Sequence, residues 1–137
     1  VIASSHSGWR GTVGHMGQKT IQRMQSEFGC RTEHILAAIG PSICQDCYEV
    51  SEDVIQQFQQ AFPEDMWADL YYRKENGKYQ LNLWKANEWI LLNSGILPEH
   101  LAVTNLCTCC NSDLLFSHRA SHGKRGTLAA FLALKED

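Results

Sequence analysis

Apolar residues along the chain fall into short runs separated by glycine, proline and polar turns. The run Val1-Ile2-Ala3, closing on two serines, reads as a short buried strand over residues 1–5. After residue 12, apolar positions recur at helical spacing (Val13, Ile21, Met24, Phe28), with Gly29 placed as a C-cap, so the pattern predicts a helix over residues 12–28. Ile35-Leu36-Ala37-Ala38-Ile39 reads as a buried strand broken by Gly40-Pro41. Ser51 is placed to cap a helix over residues 51–62 that carries Val54, Ile55 and Phe58 on one face. Asn76-Gly77 lies between two strand-like stretches and predicts a hairpin over residues 71–81 with a type I′ turn. Asn82 should cap a third helix over residues 83–93, with Leu83, Ala86, Asn87, Ile90 and Leu91 on one side. Strands are expected over 101–104 and 128–134, with a long turn-rich segment over 107–126 between them. The elements together predict a mixed α+β domain, a mixed sheet covered by helices.

Composition narrows the class. At 137 residues, 44% hydrophobic and 20% charged, the chain suits one ordinary globular domain. The net charge of −3 gives no basic footprint for nucleic acid, and no apolar run approaches a membrane span. Six cysteines without a secretory signal point to reduced thiols in a cytoplasmic setting.

The densest chemistry lies in His6-Ser7-Gly8-Trp9-Arg10-Gly11-Thr12, at an expected strand-to-helix turn. Gly8 and Gly11 permit close backbone approach. Thr12 is placed to cap the helix, whose first N–H groups would favour an anion. Arg10 adds a planar fork of donors suited to phosphate or carboxylate. His6 offers a metal ligand or proton carrier, and Trp9 a core or pocket wall.

A second constellation, Cys44-x-x-Cys47 with Cys107-x-Cys109-Cys110, looks like a four-cysteine structural zinc site. Taken as Cys-x-Cys or as an adjacent pair, the second set is poorly spaced for a tetrahedral ion. The other reading is small buried packing thiols.

The stretch His6-Ser7-Gly8-Trp9-Arg10-Gly11 resembles the His-Ala-Gly-Trp-Arg-Gly signature of the multicopper polyphenol oxidase or laccase-like family. Three further stretches match in order. They are Ile39-Gly40-Pro41-Ser42-Ile43 with Cys47-Tyr48-Glu49-Val50; Leu81-Asn82-Leu83-Trp84 with Ala86-Asn87; and Cys107-Thr108-Cys109-Cys110-Asn111 through Phe116-Ser117-His118-Arg119 to Gly123-Lys124-Arg125-Gly126. Members are described as zinc-dependent purine nucleoside phosphorylases with adenosine deaminase activity, or as peptidoglycan editing factors. The resemblance implies the C-terminal part of a domain about twice this length.

It implies zinc held by His6, with a second histidine and a cysteine from upstream motifs that this chain does not contain. The family that this chain resembles places no zinc at the Cys44, Cys47, Cys107, Cys109 and Cys110 positions, so small buried packing thiols are the expectation there. It also implies Arg10 and Arg119 as catalytic groups, and Gly8, Trp9, Gly11 and His118 as contacts to a purine nucleoside and phosphate. Arg119, beside Leu114, Leu115 and Phe116, is expected to be buried and paired, with Tyr48 and Glu49 packed under the site. Two other readings stay open: a hydrolase of misbuilt peptidoglycan precursors, and a non-enzymatic thiol-rich zinc module.

Overall fold

A computed structural model describes residues 1–124 and 126–135. Among these residues five short strands and five α-helices form a mixed α+β domain in which parallel and antiparallel pairing are divided between two small sheets. Strands β1 (Ala37–Ile39) and β5 (Leu101–Val103) pair in parallel, Ala38 opposite Ala102. Strands β2 (Glu49–Val50), β3 (Tyr71–Arg73) and β4 (Tyr79–Leu81) form an antiparallel sheet in the order β2-β4-β3.

The helices are α1 (Trp9–Val13), α2 (Met16–Phe28), α3 (Glu52–Ala61), α4 (Trp67–Leu70) and α5 (Leu83–Asn93). Helix α5 is central and packs on β1, β5, α1, α2 and α4. The Asn82 side chain accepts from Lys85 N at 2.9 Å and fixes where α5 begins. Its buried Leu83, Ala86 and Ile90 meet Val54, Ile55 and Phe58 of α3, with Leu70 and Leu81, in one core. Phe58 is fully buried and stacks on Phe62, ring centroids 5.5 Å apart. No helix among the described residues is long and apolar enough to cross a membrane.

Four local expectations need correcting. The helix expected over 12–28 is two helices, broken at Gly14 and His15. His15 takes a left-handed φ of 53°, and its ring bonds Ala61 O at 3.0 Å and packs against Phe62 and Trp89. A contact with residues far along the chain thus holds a conformation that helical spacing alone does not disclose.

Residues 1–5 and 128–134 are not strands but exposed, irregular chain. No strand among the described residues lies alongside either segment, and an apolar run without a ladder partner leaves its backbone groups to water.

The hairpin turns where expected, but not as type I′. Gly77 N bonds Lys74 O at 3.0 Å, Lys74 N bonds Lys78 O, and Gly77 alone of the loop takes positive φ. That is a three-residue loop ending in a left-handed glycine.

Ser51 precedes α3 but does not cap it with its side chain; the hydroxyl turns to the Asp53 carboxylate. Arg125, part of the loop motif, lies outside the described residues.

Candidate functional site

The His6 turn is built by one helix and one polar network. Helix α1 starts at Trp9, so Thr12 lies inside it rather than capping it, and Gly8 occupies the cap position without a side-chain bond. Thr12 is fully buried. Its hydroxyl donates to Gly8 O at 3.0 Å and accepts from Asn87 Nδ2 at 3.0 Å. Ser7 Oγ donates to Asn87 Oδ1 at 2.8 Å. One amide on the apolar side of α5 therefore receives from Ser7 and gives to Thr12, and the turn is tied to the core. With α1 only five residues long, the anion site expected at a long capped helix is not built that way.

Both glycines of the motif serve close approach. A Cβ on Gly8 would stand 3.2 Å from His6 Nε2, and one on Gly11 would stand 3.2 Å from His6 O. The absent side chains leave room for the exposed His6 ring and for its carbonyl against α1. Trp9 is half-buried against the core, and the Arg10 guanidinium lies over its ring, 4.4 Å from the centroid.

Arg119 comes to the same region from the far end of the chain. Contrary to expectation it is exposed, yet it is held. Both terminal nitrogens lie 3.1 Å from Glu49 O, and Nη1 is 3.5 Å from Cys47 O. Its guanidinium faces the Tyr48 ring at 5.4 Å. Burial raises the Tyr48 hydroxyl pKa, and the positive charges of Arg119 and then Arg10 work against that rise. Tyr48 thus feels both guanidinium groups. Among the described residues neither arginine pairs with a carboxylate. His118, next to Arg119, is exposed on a tight turn in which Gly123 N bonds His118 O at 2.9 Å. Glu49 turns its own carboxylate away to Lys74, Asn76 and Lys78.

The cysteines correct the expectation of plain packing thiols. The Sγ atoms of Cys44, Cys47, Cys107 and Cys110 all lie within 4.8 Å of one another, so the cluster can hold a metal ion. The relevant second pair is Cys107-x-x-Cys110; Cys109 stands outside the group. Cys107 is buried, and Cys44 N and Cys110 N point at its sulfur at 3.3 and 3.4 Å. Burial opposes its thiolate, but those N–H groups, with the Cys44 and Cys110 thiols, hold its pKa down at about 6. Burial, then the Cys110, Cys44 and Cys109 thiols, push Cys47 far above the usual thiol range.

Residues 1–135 match the model of the family described as multi-copper polyphenol oxidoreductase laccase. The chain belongs to this family. The chain is similar to the purine nucleoside phosphorylase YlmD of Bacillus subtilis, 35% identical over 99% of this chain and 48% of the relative. It is also similar to the adenosine deaminase RL5 of an unknown prokaryotic organism, 35% identical over 87% of this chain and 45% of that protein. The crystal structure of YlmD from Geobacillus stearothermophilus superposes with a TM-score of 0.81 at 33% identity, covering 89% of this chain and 45% of that one. The chain spans about half the length of the curated relatives it matches.

Within this laccase-family chain, His6 is one imidazole and joins no group of three or more metal-binding side chains among the described residues. A catalytic zinc centre takes three protein ligands and an open position. These residues therefore do not by themselves fit the zinc that the resemblance attaches to His6. Sequence reasoning passed over two features. One is the Ser7–Thr12–Asn87 network, signalled by a polar residue on the apolar face of α5. The other is the Cys-x-x-Cys spacing of 107 and 110, visible once Cys109 is set aside.

Proposed function

We propose that these 137 residues form the C-terminal part of a purine nucleoside phosphorylase and supply the phosphate-binding side of its active site. The observation that carries this reading is the pair of guanidinium groups, Arg10 and Arg119, that both act on Tyr48 and have no carboxylate partner among the described residues. The relatives named purine nucleoside phosphorylase support it.

In the reaction, the C1′–N bond of inosine or adenosine breaks with its electron pair going to the base. A phosphate oxygen forms the new bond to C1′, giving ribose-1-phosphate, and a proton ends on the base nitrogen. Positive charge develops at the ribosyl centre while a dianion must be brought beside it. Two fixed arginines hold such an anion in place and offset its charge before the chemistry begins. Arg10 is set by stacking on Trp9, and Arg119 by its grip on the Glu49 carbonyl. His6 presents an exposed imidazole on the same turn as Arg10. No step here is routed through zinc, since these residues bring it a single ligand.

Deamination of adenosine is the second reading, favoured by the similarity to an adenosine deaminase. Chromatography of inosine incubated with and without phosphate tests the first reading. Hypoxanthine and ribose-1-phosphate formed only with phosphate support it, and base release independent of phosphate overturns it. Inosine formed from adenosine without phosphate identifies deamination.

A further inference from the structure

The cysteine cluster sits just beyond the C-terminal ends of the parallel strands β1 and β5. There Ser42 pairs with Cys107 through Ser42 N to Leu106 O at 3.2 Å and Thr108 N to Ser42 O at 3.1 Å. Two Cys-x-x-Cys turns face each other across that bridge. The first is a single 3-10 turn, with Cys47 N bonded to Cys44 O. It is pinned from β4, where the buried Gln80 donates to Asp46 O at 2.8 Å. The second is pinned by Asn111, whose side chain donates to Cys107 O at 2.7 Å.

A tetrahedral ion with metal–sulfur bonds of about 2.3 Å sets its four sulfurs about 3.8 Å apart. Cys44 and Cys110 are separated by 3.9 Å, and Cys47 and Cys110 by 3.5 Å. Cys107, buried at the base of the cluster, accepts two backbone N–H groups, an arrangement suited to a sulfur that carries negative charge. Packing alone explains none of this. Cys110 is exposed and buries little apolar surface, yet its sulfur is aimed at the other three.

We propose that Cys44, Cys47, Cys107 and Cys110 form a tetrathiolate site for a thiophilic divalent ion of the zinc class. The site fastens the loop after β1 to the segment after β5. It shares no residue with the His6 turn and is closed, with four protein ligands, which is the pattern of a structural rather than a catalytic ion. Cys47 is followed directly by Tyr48 and Glu49, and Arg119 binds the carbonyls of Cys47 and Glu49. An ion held by Cys47 and Cys110 therefore also sets the platform on which Arg119 rests.

The test is cobalt titration of the full chain, reduced and freed of metal by a chelator. One equivalent of Co²⁺ should bind, with thiolate-to-cobalt charge-transfer bands in the near ultraviolet and tetrahedral ligand-field bands in the visible. Zinc should displace it. Cys110→Ser, at an exposed position that leaves the core intact, and Cys47→Ser should each lose or markedly weaken the signal. His6→Ala and Cys30→Ser should leave it unchanged. On metal binding, amide exchange at Ala120 and Gly123, in the turn that carries Arg119, should slow. No cobalt bound by the reduced wild-type chain, or a spectrum that survives Cys110→Ser, overturns the site. Exchange at Ala120 and Gly123 that ignores the metal overturns its role as a fastener. None of these readouts depends on nucleoside chemistry, so the site stands or falls separately from the phosphorylase reading.

Discussion

Arg119 grips the backbone of Glu49 with both arms of its fork, each terminal nitrogen 3.1 Å from one carbonyl oxygen. The contact joins residues seventy positions apart and leaves the guanidinium plane facing Tyr48. A lysine keeps the charge but cannot span the carbonyl in this way. Arg119→Lys should lower kcat/KM for phosphate-dependent cleavage by at least tenfold, about 1.4 kcal/mol. Steady-state kinetics at varied phosphate, beside a melting curve, checks this; unchanged kinetics would mean that the residue only braces the loop.

Arg10 rests on Trp9. Arg10→Lys should weaken phosphorolysis by roughly 1–3 kcal/mol, the scale of a charge-assisted hydrogen bond, chiefly through the KM for phosphate. Metal content measured on the same sample should not change, because a guanidinium is not a ligand for the ion. A fall in melting temperature with no change in phosphate dependence would assign Arg10 to the turn instead.

Asn87→Leu removes the Asn87 acceptor of the Ser7 hydroxyl and the Asn87 donor to the buried Thr12 hydroxyl, and leaves those two hydroxyls their 3.2 Å contact with each other. Each lost hydrogen bond is worth about 0.5–1.5 kcal/mol, and denaturant unfolding should show a loss of about 1–3 kcal/mol for the two. Phe58→Ala removes a fully buried ring stacked on Phe62 and should cost more, about 3–5 kcal/mol. If the two variants were equally stable, the polar network would be worth as much as the centre of the core.

Glu49 has its carboxyl pKa lowered to about 2, first by the hydrogen bond from Lys74 and then by those from Asn76 and Lys78. Its folded value lies below the unfolded one near 4.3. The stabilisation is therefore complete above the unfolded pKa and is lost as pH falls from there through the folded value near 2. Carboxyl NMR titration should place Glu49 near 2, and Lys74→Met should move it upward. A titration coincident with free glutamate would remove the effect.

What the sequence disclosed is mostly local. Asn82 caps α5 through a bond to Lys85, three residues away, and the predicted helix matches the observed Leu83–Asn93. The Asn76-Gly77 turn was equally readable in place, though its type was not, since that depends on which residue takes positive φ. The features missed depend on distant partners. His15 breaks the first helix because Ala61 accepts from its ring. Arg119 looked buried from its apolar neighbours, but the carbonyl of Glu49 keeps it at the surface. The apolar runs at 1–5 and 128–134 carry strand composition, and composition cannot supply a neighbour to pair with. Cys110 was legible by count alone, and the adjacent Cys109 hid it.

The amide of Asn87 gives and receives at once, and that restricts what position 87 can hold. Aspartate lacks the N–H that Thr12 needs, serine is too short to reach both hydroxyls, and leucine answers neither. In a library randomised at that codon and screened for an intact His6 turn, asparagine should dominate the survivors. Substitutions at Ser7 and Thr12 should relax that preference in pairs. The constraint on one residue of α5 is thus written by partners seventy-five and eighty positions upstream, as an epistatic rule that deep mutational scanning can read without any assay of catalysis.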